Sequence, residues 1–337
     1  MLRKLFAVAS AAGAAAGAVA YGRYLRDIRQ IRPRVESGGT LLDTPAGRIE
    51  YAEEGSGEPL LMIHGAGCGY DQGLLVGRDF GPGFRIIAPS RFGYLGTPVP
   101  DDSSPSAQAD AHAALLDRLG VARCVVAGVS AGAPSAIELA LRHRERVSEL
   151  ILLVPRTYDP SQSIGVDSAF QSQIVLRLVE TSADFLFWTA MRLGRASVVR
   201  FLGVPPELDA AAPEEDRARV TEIMRSILPL SKRVRGITVD SDTNLAPWPL
   251  KRLRMPVLII SAKDDLYRTL PGARFTADVI PQAELKILES GGHLMLGQGG
   301  QVRQWIAEFL KSRRTSAGWT RTGRVADGKK LAMAGAG

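Results

Sequence analysis

Cys124-Val125-Val126-Ala127-Gly128-Val129-Ser130-Ala131-Gly132 runs from four apolar residues into a G-x-S-x-G pentapeptide. The apolar part reads as a fully buried strand, and the residues that follow, Ala136, Ile137, Leu139 and Ala140, suit a helix packed on the same sheet. Between strand and helix the chain turns within one or two residues, which holds the serine in a strained conformation and lifts its hydroxyl clear of the sheet. Glycines two before and two after it let neighbouring backbone pass without Cβ clashes. The helix N-terminus would aim positive N–H groups at the serine. Alone, five residues of this pattern also fit an ordinary strand-to-helix turn, so their weight depends on what flanks them.

Working outward toward the N-terminus, Phe84-Arg85-Ile86-Ile87-Ala88 and Pro59-Leu60-Leu61-Met62-Ile63 are further buried-strand candidates. The second ends at His64-Gly65-Ala66-Gly67-Cys68-Gly69, a Gly-rich loop whose backbone N–H groups a substrate could approach. His64 itself reads as a loop-shaping residue and not as a base. Thr40 to Ala52 alternates as a β-hairpin, and Ser106 to Leu119 is an amphipathic helix closed by Gly120. Toward the C-terminus, Val147 to Val154 is another strand. From Arg156 to Trp248 the alternation of strand and helix gives way to helical patterns, Ala169 to Thr181 and Ala183 to Leu193 among them, which read as an insertion. Phe170, Phe185, Phe187, Trp188 and Phe201 in that insertion are core residues by default and pocket-lining residues as the alternative. The alternation resumes at Met255 to Ile260. A helix over Gly272 to Val279, a strand at Leu285 to Leu288 and a closing helix over Gln301 to Leu310 complete it. Such spacing predicts a mainly parallel sheet covered on both faces, with its site at the carboxyl ends of the strands.

Three polar groups stand at those ends in the order Ser130, Asp265, His293. A serine hydroxyl needs a neighbouring imidazole to take its proton, and a carboxylate behind the imidazole fixes its tautomer. With these residues the chain, over roughly residues 40 to 310, resembles the α/β-hydrolase superfamily: His64-Gly65 after the third strand, the Gly128 to Gly132 elbow, the strand-end acid, and Gly291-Gly292-His293 before the last helix. The resemblance implies an eight-stranded, mainly parallel sheet with helices on both faces and a helical cap. It implies Ser130 as nucleophile, His293 as base and then acid, and the N–H groups of Ala66 and Ala131 as the oxyanion hole. For the acid, Ala262-Lys263-Asp264-Asp265 fits the family's Gly-x-x-Asp with Ala in the first place, which selects Asp265 and leaves Asp264 as the alternative. Ser90 stands where many relatives carry Asp. His112 and His143 read as surface residues on helices.

The implied domain plan is residues 1–36 as an N-terminal hydrophobic segment and basic linker, 37–155 and 249–311 as the two parts of the hydrolase core, 156–248 as the cap, and 312–337 as a disordered basic tail. The implied chemistry is hydrolysis of a small-molecule carboxylic ester or similar acyl bond. Hydrolysis of a carbon-carbon bond by the same triad, or ligand binding by a catalytically idle fold, are the alternatives. An aspartate nucleophile would be needed for haloalkane or epoxide chemistry, and a serine stands there instead.

With 337 residues, 45% hydrophobic and 23% charged, the chain has the composition of a globular protein. Its net charge of +7 is concentrated in Arg23 to Arg34 and Lys311 to Lys330, and no motif of a nucleic-acid-binding fold accompanies it, so no nucleic-acid partner is expected. Two cysteines, Cys68 in a loop and Cys124 in a strand, argue against a disulfide, and Cys and His are too few for a metal site. No organic cofactor is implied. Residues 5–22 carry no charge and follow Arg3 and Lys4, the layout of a signal peptide or membrane anchor. A helix of that length spans about 27 Å. It is mostly Ala and Gly, which makes insertion marginal, and the arginines behind it oppose translocation. Membrane association through residues 5–22 is the expectation; a cytoplasmic or exported protein with an Ala-rich leader is the alternative.

Overall fold

The computed structural model describes residues 2–161 and 184–326. Eight strands form one sheet: β1 (Thr40–Thr44), β2 (Gly47–Gly55), β3 (Glu58–Ile63), β4 (Phe84–Pro89), β5 (Cys124–Val129), β6 (Val147–Leu153), β7 (Val257–Ala262) and β8 (Ala283–Leu288). Their spatial order is β1-β2-β4-β3-β5-β6-β7-β8, with β2 antiparallel to both its neighbours and every other pair parallel.

The continuous apolar runs follow from coverage of both faces. Successive residues of a strand point to opposite sides. Leu61, Ile63, Val126, Leu150, Leu152, Val257 and Ile259 accordingly pack into one core, and Leu60, Met62, Val125, Ala127, Ile151, Leu153, Leu258 and Ile260 into another. On the first face lie α3 (Pro105–Arg118), α4 (Ala133–Arg142) and α10 (Leu270–Val279), and on the second α2 (Tyr70–Gly77) and α11 (Gly299–Ala326). Helix α3 starts where Ser104 accepts a hydrogen bond from the Ala107 N–H at 3.2 Å and Pro105 occupies the first turn. From β3 the chain goes to β4 on one side and then to β5 on the other. The strand order therefore reverses at β3, and a crevice opens between the carboxyl ends of β3 and β5.

Between β6 and β7 the described residues are helical: α5 (residues 184–193), α6 (Arg195–Phe201), α7 (Pro206–Ala211), α8 (Glu214–Ser226) and α9 (Val234–Asp242). The helix expected over Ala169 to Thr181, with Phe170, lies outside the described residues. Trp188 is buried, while Phe185, Phe187 and Phe201 are half-buried.

The two chain ends differ from the sequence reading. The basic stretch expected to be a linker continues the N-terminal helix, α1 (Leu2–Glu36), and lies on the protein. Ile28 and Val35 are buried, Asp27 accepts from Trp188 Nε1 at 2.8 Å and pairs with Arg192, and Arg34 reaches Asp71 of α2 at 3.3 Å. Tyr24, Ile28, Ile31 and Val35 recur at helical spacing, and that stripe is what docks. Among the described residues no helix is long and apolar enough to cross a membrane. At the other end α11 continues to Ala326, past the point where the disordered tail was expected to begin.

Candidate active site

The turn after β5 is under tight steric control. Ser130 sits at φ +48°, a left-handed conformation that costs a non-glycine residue about 1–2 kcal/mol and persists only where surroundings enforce it. A Cβ at Gly128 would come within 2.8 Å of the Ala136 side chain, and one at Gly132 within 2.6 Å of the carbonyls of Ile63 and His64. Both glycines are thus required by close approach, the first of α4 and the second of the end of β3. The Ser130 carbonyl is tied by the Arg156 N–H at 3.0 Å, and Ser130 is half-buried.

Asp265, after β7, and His293, after β8, come together two and three strands away from β5. His293 Nδ1 lies 2.8 Å from Asp265 Oδ2, which leaves Nε2 as the ring nitrogen open to a hydroxyl. Asp265 is 4% exposed and its acceptors are filled: Thr269 Oγ1 donates to Oδ2 at 2.5 Å and the Tyr267 N–H to Oδ1 at 2.8 Å. Burial pushes this carboxyl up, but the charge and hydrogen bond of His293 together with those two donors prevail, so its pKa lies below the ordinary value. Asp264, the alternative acid, faces elsewhere. Its carboxylate accepts the N–H groups of Gly291 at 3.1 Å and Gly292 at 2.9 Å and so shapes the loop that carries His293. A single carbonyl from the insertion, that of Gly203, accepts from the N–H of Leu266 at 3.1 Å and of His293 at 3.0 Å, bracing both loops. The Tyr267 ring stands edge-on to His293 at 4.6 Å.

Ala131 is the middle residue of the short 3-10 turn Ser130–Gly132 that leads into α4, and Ala66 belongs to the loop after β3. The loop after β3 and the turn after β5 approach each other at the crevice: a side chain at Gly65 would touch Ser130 Cβ at 3.3 Å. His64 is buried and spends both ring nitrogens on backbone. Nδ1–H donates to the Gly65 carbonyl at 2.7 Å and Nε2 accepts the Arg91 N–H at 3.0 Å. Burial, and after it the Arg91 guanidinium, push its pKa well below the ordinary value, so it is a neutral structural imidazole.

Four residues around this loop escape a reading of the sequence. Arg91 makes a bidentate pair with Asp240 of α9, at 2.6 and 2.7 Å, and Tyr94 Oη donates to Asp240 Oδ2 at 2.5 Å. Glu50, on β2, supplies the carboxylate that Ser90 lacks: it accepts from the Gly96 N–H at 2.8 Å and from Ser90 Oγ at 3.1 Å. Ser90, where the resemblance leads one to expect an acid, instead donates to the carboxylate of Glu50 on the neighbouring strand. His112 departs from the sequence expectation. It is fully buried in α3 against Ser135 of α4, not on the surface, whereas His143 is half-buried and pairs with Asp110 at 2.7 Å. Cys68 and Cys124 are free thiols whose pKa burial pushes up to about 12, which keeps both protonated. Among the described residues no group of three or more His, Cys, Asp or Glu side chains is placed to hold a metal ion.

Comparison with known proteins agrees with this architecture. The family model for the alpha/beta hydrolase fold matches residues 58–299. The chain is 27% identical to the uncharacterized hydrolase YcgS of Bacillus subtilis (strain 168) over 281 residues, 79% of this chain and 96% of that one. It is 34% identical to the 2-hydroxymuconate semialdehyde hydrolase of Pseudomonas sp. (strain CF600) over 111 residues, 32% of this chain and 39% of that relative's length. Among solved structures it superposes on an alpha/beta hydrolase fold protein from Nakamurella multipartita with a TM-score of 0.65 and 27% identity, covering 81% of this chain and 98% of that one.

Proposed function

The chain belongs to the alpha/beta hydrolase fold family, and from that premise we propose that it hydrolyses a small-molecule carboxylic ester, or a similar acyl bond, through an acyl-enzyme on Ser130. The observation that carries the reading is the buried pair of His293 Nδ1 and Asp265 Oδ2 at 2.8 Å, at the same sheet edge as a serine held at φ +48°. Ser130 Oγ attacks the carbonyl carbon while its proton passes to His293 Nε2. The carbonyl oxygen becomes an oxyanion received by the N–H groups of Ala66 and Ala131, donors of a kind worth roughly 3–4 kcal/mol each in the transition state. The imidazolium returns its proton to the departing alcohol. Water then adds to the acyl-enzyme with His293 as base, and the acid leaves with Ser130 restored. Residues 156–248 act as the cap that sets substrate size.

Turnover of p-nitrophenyl esters of increasing chain length by the full chain, beside Ser130→Ala, tests this. Activity that disappears in the variant supports the serine esterase, and the chain-length profile sizes the pocket. A wild type that is inert at every chain length and unlabelled by a fluorophosphonate sinks it. The similarity to a semialdehyde hydrolase over a third of the chain favours one second reading, carbon-carbon bond hydrolysis with the same residues. That reading predicts fluorophosphonate labelling at Ser130 without ester turnover.

A further inference from the structure

We infer that Asp240, on helix α9 of the insertion, is a positioning residue for the His64–Gly67 loop and acts on it through Tyr94 and Arg91. The inference rests on the role proposed above for the Ala66 N–H. Tyr94, wholly buried, has one hydroxyl proton, and it goes to Asp240; the oxygen then accepts the Gly67 N–H at 3.2 Å. Arg91, gripped by both oxygens of Asp240, donates from Nε to the His64 carbonyl at 2.9 Å, while its own N–H meets His64 Nε2. The loop is therefore held at its first residue through Arg91 and at its fourth through Tyr94. Both paths end on one carboxylate that lies 149 residues further along the chain than Arg91. Ala66 is suspended between the two holds.

The electrostatics point the same way. Asp240 is the counter-charge of Arg91, and the nearby Arg156 spends its guanidinium on the carbonyls of Asp240 at 2.9 Å and Thr243 at 2.8 Å. With His64 neutral, the cluster keeps one more positive charge than negative beside the loop. Without Asp240 the buried Arg91 guanidinium would lose its counter-charge with the half-buried Arg156 close by, and Arg91 would turn away from His64. An oxyanion donor works only within a few tenths of an ångström of its place, and a shift of about 1 Å costs on the order of 100-fold in rate. Seating of the cap and setting of the oxyanion loop are in this way one event.

Tyr94→Phe keeps the Arg91–Asp240 pair and removes only the tie to Gly67; Asp240→Asn removes the common end of both paths. In the full chain the expected result is a fall in kcat of about 10-fold to 100-fold for Tyr94→Phe, with KM within about twofold. An arylboronic acid, which forms a tetrahedral adduct on the serine, should weaken by the same factor as kcat/KM. Asp240→Asn should be at least as damaging, and the double variant no worse than Asp240→Asn alone, because the effects share one route. Hydrogen exchange of the peptide over residues 64–68 should quicken in both variants. Variants that lower the melting temperature but leave kcat and this exchange at wild-type values would overturn the inference and reduce Asp240 to a structural residue. If exchange quickens while the wild type itself neither reacts with a fluorophosphonate nor turns over ester, the Ser130 reading fails and the positioning role stands.

Discussion

Two histidines stand at the carboxyl edge of the same sheet, both buried, and their surroundings are opposite. His64, directly after β3, has an arginine beside it and gives both nitrogens to backbone; His293, after β8, has a carboxylate beside it and gives only one. A neighbouring cation penalises the imidazolium and a neighbouring anion stabilises it. The first ring is therefore kept neutral and holds shape, while the second faces the carboxylate that the proposed mechanism needs behind its base. The two rings share a place at strand ends and differ in the charge beside them.

The largest loss should follow removal of the carboxylate beside His293. Asp265→Asn keeps the volume but reverses the hydrogen-bond demand on His293 Nδ1, and kcat for a p-nitrophenyl ester should fall on the order of 10⁴-fold with little change in KM. Because the folded pKa of Asp265 lies below its ordinary 3.8, its contribution to stability is complete above that value and is lost only as pH falls through the lower folded one. The pair should thus survive mild acid. A loss of less than about tenfold in Asp265→Asn would mean that the carboxylate does not serve His293.

His64→Phe sharpens the contrast from the other side. It retains the edge contact to Tyr94, which has a centroid distance of 4.9 Å, but leaves the Gly65 carbonyl and Arg91 N–H without partners. Each such buried group costs about 1–3 kcal/mol, so denaturant titration should show a large stability loss. Activity should fall about tenfold through the displaced loop, with the shape of the pH–rate profile unchanged. A vanished basic or acidic limb in that profile would make His64 a proton carrier and erase the distinction. Asp264→Ala is smaller again. Loss of two accepted N–H bonds should cost about 1–2 kcal/mol of stability and only a few-fold in kcat, which separates Asp264 from Asp265 by function as their partners already separate them by geometry.

Much of this was legible. Buried strands such as Leu60 to Ile63 announce themselves because both faces of the sheet are covered, and Ser130, Asp265 and His293 are short-range features of strand ends. Arg91, Tyr94, Asp240 and Glu50 were not, because a charged loop residue reads as solvated until its partner is known, and Asp240 reaches Arg91 from the far end of an insertion with no strand rhythm. The docked half of α1 was hidden by its arginines, although Tyr24, Ile28, Ile31 and Val35 spell the buried stripe. The burial of His112 is written in the same kind of pattern: Ala109, His112, Ala113 and Leu116 lie on one apolar face of α3.

That third histidine extends the comparison to a ring with neither kind of partner. His112 has no charged group within bonding distance, its Nδ1 has no hydrogen-bond partner among the described residues, and Nε2 lies 3.5 Å from Ser135 Oγ. Burial, with a smaller push from Arg91, lowers its pKa from 6.5 to about 3. A depressed folded value means that the unfolded chain takes up the proton first. The stability this ring permits is therefore whole above pH 6.5 and is lost progressively as pH falls toward about 3, at up to roughly 1.4 kcal/mol per pH unit. His112→Leu removes that proton uptake, while Ser135 Oγ keeps its bond to the Gly132 carbonyl at 3.2 Å. Between pH 7 and pH 5, urea unfolding should show the wild type losing about 2 kcal/mol more than the variant, with kcat at pH 7 little altered. Parallel pH curves would show that His112 carries its proton in the folded protein, and a buried imidazole without a carboxylate would then need another source of compensation within α3 and α4.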